Sequence, residues 1–377
     1  MTIHDNIAVL IDHEELLEFT KLFYKLKRPI FLWGTIGIGK SDVVQYTAQQ
    51  LADELNLKFE LDVRKMDTED TFGFFDIRMA NKDNTDIQGI PMPVEANGRK
   101  QTEWILPNFL PRNENSKGIL FFDELNLSPP SVQSACYQLI NDRRLGDYVL
   151  PKGWFIIACG NRVSDRTNVF EMSSALSNRF CHFELKIPNM EIWGRWALKH
   201  DIDSRIITYN YWKEGIHLFK FDQNSKSKAF PTPRSWFFAN NLIKNIHPTS
   251  EEEYAKMTKL VASAVGEGVA LEFEAYCKLN RKIDIEAILR NPQTIEEIEE
   301  VDLLYSVISG ISEKYKKDNK IFDNVLMVCK YLKSEFAVLL LHFVRNANPS
   351  YWDKQTTTLK NITWNELANK YRNYLIK

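Results

Sequence analysis

Residues Gly34-Thr35-Ile36-Gly37-Ile38-Gly39-Lys40-Ser41 follow the pattern G-x-x-x-x-G-K-[ST], directly after the apolar run Pro29 to Trp33 and directly before a helical pattern. A strand, a glycine-rich loop and a helix in that order give a concave run of backbone N–H groups at a helix N-terminus. Glycines let the backbone approach an anion, and the helix dipole favours one there. The loop from Gly34 through Asp42 is therefore the predicted phosphate cradle. Lys40 adds the charge for the β- and γ-phosphates of a nucleoside triphosphate, and Ser41 offers a hydroxyl to Mg²⁺, which prefers oxygen ligands and keeps several waters. A lysine in the first turn of a helix opposes the dipole, so a bound anion is its natural compensation.

A second element answers this loop. Ile119-Leu120-Phe121-Phe122-Asp123-Glu124 is an apolar strand ending in two adjacent carboxylates. Side chains alternate across a strand, so the two acids are expected to face different directions and take separate tasks. Asp123 is assigned to the Mg²⁺ shell, and Glu124 to orienting and polarising an attacking water. Asn161 follows the apolar run Trp154 to Cys159; it places an amide beside the γ-phosphate or simply closes a turn. Arg179 stands just before the strand His182 to Leu185, as a site cation or as a surface ion pair. Thr232 is a good N-cap and Pro233 a good first helical residue, which puts Arg234 in a first helical turn. There it costs about 0.3–1 kcal/mol unless a phosphate or a carboxylate lies nearby.

The rest of the chain supplies a frame. Its 377 residues exceed one ordinary core, so two or three domains are expected. Five short apolar runs (Pro29 to Trp33, Phe59 to Val63, Gly118 to Phe122, Trp154 to Cys159, His182 to Leu185) alternate with helical patterns. One such pattern is Val44, Ala48, Leu51 and Leu55, and another is Val132, Cys136, Leu139 and Ile140 after Ser128-Pro129-Pro130. This predicts an α/β fold with a parallel five-stranded sheet flanked by helices over residues 1–188. Residues 66–115 fit neither pattern and are read as an insertion, with Asn97-Gly98 as a hairpin turn. Beyond Pro188 the chain reads as helical, with stripes such as Leu303, Val307 and Ile311, or Phe336, Leu340 and Val344. Lys226 and its serine neighbours suggest a loop near 222–229.

A charged fraction of 26% and a formal charge of −2 give no electrostatic case for nucleic acid or anionic lipid. No stretch approaches the roughly 18 apolar residues of a membrane span, and the N-terminus lacks a basic segment followed by an apolar one, so a cytoplasmic location is expected. The five cysteines and seven histidines are scattered. Buried, reduced thiols and no zinc site are the expectation.

Taken in order, Gly34 to Ser41, Phe121 to Glu124, Asn161, Arg179 and Arg234 resemble the Walker A, Walker B, sensor 1, arginine finger and sensor 2 of the AAA+ superfamily. The MoxR-like branch is the most similar, through Trp104-Ile-Leu-Pro-Asn-Phe-Leu-Pro111, Asp123-Glu-Leu-Asn126, Gln138 to Gly146, Ala175 to Phe180 and Thr232-Pro-Arg234. The resemblance covers residues 26 to about 280. It implies a P-loop NTPase core, a helical lid over 189–282 and a further helical region over 283–377. It also implies ATP and Mg²⁺ as cofactors, a hexameric ring, and Arg179 reaching a neighbour's γ-phosphate. Relatives work on protein clients as remodelling or metal-insertion chaperones, commonly with a von Willebrand factor A domain partner. Two departures stand out: Gly73-Phe-Phe replaces the branch's Gly-x-Pro, and only Arg64 offers itself as a switch residue.

The leading expectation is thus an ATP-hydrolysing motor. A nucleic-acid-directed NTPase of the restriction GTPase kind, which Asn161-Arg-Val-Ser-Asp165 resembles, and a nucleotide-gated scaffold are the alternatives.

Overall fold

The computed structural model describes residues 8–96, 99–162, 170, 172–222, 224–225, 227–280, 283–357 and 362–375. The expected Asn97-Gly98 turn, Val163 to Asp165 and Lys226 lie outside them. The chain divides into two compact units, residues 1–188 and 189–377.

The first unit is an α/β fold built on a parallel sheet. Its strands are β1 (Val9–Ile11), β2 (Ile30–Trp33), β3 (Lys58–Glu60), β4 (Thr71–Arg78), β5 (Ile90–Ala96), β6 (Arg99–Ile105), β7 (Lys117–Asp123), β8 (Arg144–Leu145), β9 (Tyr148–Val149), β10 (Gly153–Gly160) and β11 (Cys181–Leu185). Its helices are α1 (His13–Leu26), α2 (Lys40–Glu54), α3 (Asn84–Gln88), α4 (Pro130–Asp142) and α5 (Ser174–Ser177). Seven strands form the main sheet in the order β1-β11-β2-β10-β7-β4-β3, every neighbouring pair parallel. The sheet is therefore two strands wider than expected. β1 has three residues and pairs with β11 alone, too short to show a pattern. β4 lies inside the segment expected to be irregular, where it pairs with β7 on one side and β3 on the other. β5 and β6 form the expected antiparallel ribbon.

Burial follows the strand alternation. Tyr24 of α1 meets Phe72 and Phe155 on one face, and Phe74 stacks on Phe121 there. The other face buries Phe31, Ile77, Leu120, Phe122 and Ile156 with Val132, Cys136, Leu139 and Ile140 of α4. Trp154 lies on this second face with its Nε1 donating to Ser116 Oγ at 2.9 Å. A Cβ at Gly73 would sit 2.6 Å from Trp154 Cη2, so the strand needs a glycine at that crossing. Leu55, read from sequence as part of the core face of α2, caps that helix and is 42% exposed. All five cysteines are free thiols; Cys136, Cys159, Cys277 and Cys329 are buried, but Cys181, the first residue of β11, is exposed against expectation.

The second unit is helical: α6 (Met190–Lys199), α7 (Ser204–Trp212), α8 (Pro233–Ile243), α9 (Glu251–Val265), α10 (Glu267–Asn280), α11 (Ile285–Arg290), α12 (Val301–Lys317), α13 (Phe322–Tyr331), α14 (Ser334–Ala347), α15 (Pro349–Thr357) and α16 (Ile362–Leu375). One buried cluster runs from Trp193 to Tyr371, across the boundary expected near residue 282. At its centre Arg205 pairs with Asp203 at 2.6 Å and donates to the carbonyls of Ile243 and Ile246 near the end of α8. Among the described residues no helix is long and apolar enough to cross a membrane.

Candidate functional site

Parallel strands end together, so the residues that follow β2, β7 and β10 are brought to one edge of the sheet. The loop after β2 turns through two left-handed glycines, Gly37 at φ 74° and Gly39 at φ 88°, a region closed to most other residues. Gly39 serves as the N-cap of α2 without a side chain to satisfy the helix amides, which leaves that end suited to an outside acceptor. Gly34, Thr35, Gly37 and Ile38 are buried, Ile36 and Gly39 half-buried, and Asp42 exposed in the first turn.

Lys40 is only 9% exposed. Its Nζ donates to Gly34 O at 2.7 Å, Thr35 O at 3.0 Å and Asn161 Oδ1 at 2.8 Å. The next side chain, Ser41, donates from Oγ to Asp123 Oδ2 at 2.9 Å. Four residues singled out from sequence, Lys40, Ser41, Asp123 and Asn161, therefore meet in one cluster.

The two adjacent acids separate by a route other than strand alternation. Asp123 is the last residue of β7, whereas Glu124 turns left-handed at φ 57° and opens a short 3₁₀ turn, Leu125–Leu127. A non-glycine residue held there stores roughly 1–3 kcal/mol of strain, and Glu124 is half-buried. That turn also brings in Asn126, whose Nδ2 donates to Asn161 O at 2.8 Å and whose Oδ1 accepts from Asn161 N at 3.2 Å. Asn161 is thus clamped on its backbone, with its side-chain oxygen on Lys40. Arg162, beside it, forms an ion pair with buried Glu184 of β11.

Sequence reasoning missed Asp76. β4 runs beside β7 with Asp76 opposite Phe121 and Arg78 opposite Asp123. Although Asp76 keeps solvent access, packing about its carboxyl, then the charge of Asp123, pushes it up to about 6; Arg78 opposes this, while Glu124 and Asp42 add to it. Only the pairing of β4 with β7 reveals this neighbour, so no local signal could have found it. Arg64 instead pairs with Asp62 on an exposed turn. A concavity of about 660 Å³ lies nearby, lined by Asp76, Arg78, Lys82, Asn108 and Phe109 but by none of the loop Gly34 to Ser41.

Arg179 lies just after α5. It is half-buried, and its Nη2 donates to Tyr137 OH of α4 at 2.8 Å. Close by in sequence, Trp33 Nε1 of β2 donates to His182 Nδ1 of β11 at 3.0 Å, so the other ring nitrogen carries the proton toward Ser177 O at 2.8 Å. Arg234 belongs to the second unit, exposed in the first turn of α8, with Thr232 as N-cap and a reciprocal Thr232–Ser235 capping box.

The residues fit a triphosphate with Mg²⁺. Ser41 and Asp123 offer the hard oxygen donors that this cation takes, and the left-handed glycines expose backbone amides where a phosphate would rest.

Residues 29–180 match the AAA domain family, dynein-related subfamily. No curated protein matches the chain in sequence. Among solved structures it is similar to a provisionally named ATPase from Cytophaga hutchinsonii, with 14% identity, TM-score 0.33, and 69% of this chain and 83% of that one covered. It is also similar to a DNA polymerase III gamma subunit-related protein from Thermotoga maritima, with 11% identity, TM-score 0.31, and 96% and 92% covered. A third is the ORC2 protein of Aeropyrum pernix, with 12% identity, TM-score 0.32, and 90% and 94% covered. Overlaps this low carry no argument about substrate or partner. The family match over residues 29–180 agrees with the sheet order and the loop before α2, which give this part of the chain a P-loop AAA+ fold.

Proposed function

We propose that the chain is a Mg²⁺-dependent ATPase of the MoxR-like kind, working as a hexameric ring that remodels a protein client in the cytoplasm alongside a von Willebrand factor A domain protein. The observation that carries this reading is the Ser41–Asp123 contact at 2.9 Å, adjacent to the Lys40–Asn161 contact at 2.8 Å.

In this mechanism the amides of Gly34 to Asp42 and the Lys40 ammonium bind the phosphates. Ser41 and Asp123 would hold the cation through their hydroxyl and carboxylate oxygens. Bound Mg²⁺ supplies charge neutralisation at the β- and γ-phosphates. Glu124 accepts a hydrogen bond from the attacking water and polarises it. Asn161 donates its amide hydrogens toward the γ-phosphate, with its Oδ1 on Lys40. Arg179 completes the site of a neighbouring copy, and Arg234 contacts the triphosphate from the first turn of its helix. Residues 189–282 act as the lid that turnover moves, and residues 283–377 extend it. The presence of Glu124 directly after Asp123, and of Arg179, supports turnover over a scaffold role.

The test is Glu124→Gln. It should bind ATP as tightly as the unaltered chain while phosphate release falls about 10²–10⁴-fold, and the ATP-locked form should capture the client. Hydrolysis at the normal rate would remove Glu124 from the mechanism.

A further inference from the structure

β10 delivers one more group to the site, and no motif contains it. Cys159 lies at the end of β10, two residues before Asn161. Asn161 meets Lys40, and Cys159 meets Asp123, with Sγ 2.7 Å from Oδ1. The second oxygen of the same carboxylate, Oδ2, accepts from Ser41 Oγ at 2.9 Å. Both oxygens of Asp123 are therefore occupied, one by each donor. A carboxylate only accepts, so the thiol is the donor in this pair. Cys159 has no solvent access, so water does not compete for its thiol, while Asp123 keeps 8% exposure on the side of the site.

We infer that Cys159 is a positioning residue for the cation site: its S–H fixes Oδ1 of Asp123 and thereby sets the plane in which Oδ2 faces Ser41. The inference rests on the Mg²⁺–nucleotide reading of the site. Groups that orient a metal-bearing carboxylate from behind typically control affinity for the cation by about 10–100-fold. A thiol suits the position because it is compact, apolar on its other sides and able to donate once.

The experiment is calorimetric titration of ADP into the full chain with EDTA and then with Mg²⁺, the ratio of the two affinities measuring the metal's contribution. Cys159→Val removes the donor and adds one branched carbon, and Cys159→Ala removes it without added bulk. The Mg²⁺-dependent gain in affinity of Cys159→Val should fall about tenfold while its EDTA affinity stays within about twofold. Cys159→Ser, which restores a donor, should recover the gain, and Cys159→Ala should behave as Cys159→Val does if the branched side chain disturbs folding. A full gain in Cys159→Val or Cys159→Ala overturns the inference, and so does a loss in Cys159→Ser as large as in Cys159→Val, since packing would then explain both. If the unaltered chain binds no nucleotide under either condition, the functional reading fails and takes the inference with it; a normal result there with unchanged variants sinks the inference alone.

Discussion

Lys40 Nζ lies 2.8 Å from Asn161 Oδ1, which ties the first residue of α2 to the end of β10. The same ammonium serves Gly34 O and Thr35 O, so it holds the mouth of the loop in shape before any phosphate arrives. Lys40→Met should therefore do two things. Nucleotide affinity in calorimetry should fall at least about 100-fold, near 2.7 kcal/mol, and the nucleotide-free chain should melt lower, because buried acceptors lose their donor. Unchanged affinity in Lys40→Met would contradict the assignment of the loop.

Much of this site was legible from sequence because its parts are local. A glycine loop between a strand and a helix, and an apolar strand ending in Asp123-Glu124, announce themselves within a few residues. What escaped depends on strand neighbours. Asp76 and Cys159 have no motif, and matter only because β4 and β10 flank β7. β4 itself was hidden because Phe72, Gly73 and Phe74 are all buried, which erases the alternation of a half-exposed strand, and Asp76 and Arg78 look like loop residues. The left-handed turn at Glu124 was likewise invisible, since glutamate is not a residue that signals it.

The raised Asp76 carboxyl makes stability depend on pH with a defined sign. Its folded value of about 6 exceeds the ordinary 3.8, so the native state holds the proton more tightly than the unfolded chain does. That contribution is fully present below the ordinary value and is lost as pH rises through about 6. In nucleotide-free, metal-free buffer, Asp76→Asn should raise the melting temperature at pH 8 and have little effect near the acid end of the window. Thermal melts across pH check this. A larger stabilisation at the acid end than at pH 8 would reverse the sign and dismiss the crowding of Asp76 against Asp123.

Gly73 tests the sheet order directly. An added methyl would lie 2.6 Å from Trp154 Cη2 and 2.9 Å from Met66 Cβ, and neither neighbour has room to retreat in a filled face. Gly73→Ala should cost about 1–3 kcal/mol in equilibrium urea unfolding, and Trp154→Phe, which shortens the opposing ring, should offset part of that cost in the double variant. Additive losses would mean that the two residues do not meet.

Arg179 carries the proposal that the site is shared between copies. Its guanidinium centre lies 5.4 Å from the Tyr137 ring centroid, with Nη2 donating to the hydroxyl, so α4 holds the side chain in a fixed pose. If it serves a neighbour's nucleotide, Arg179→Ala should lower hydrolysis by the assembled chain about 10³-fold with nucleotide affinity intact. Arg179→Lys should rescue little, since a point charge does not reproduce the planar fork. Mixing supplies the discriminating measurement. Glu124→Gln and Arg179→Ala chains are each inactive alone, but where they adjoin, one provides the arginine and the other an intact water-orienting acid. A random one-to-one mixture should recover activity at about a quarter of the interfaces of a head-to-tail ring. Phosphate release that stays at the level of the separate variants, with assembly verified, would mean that Arg179 acts within its own chain.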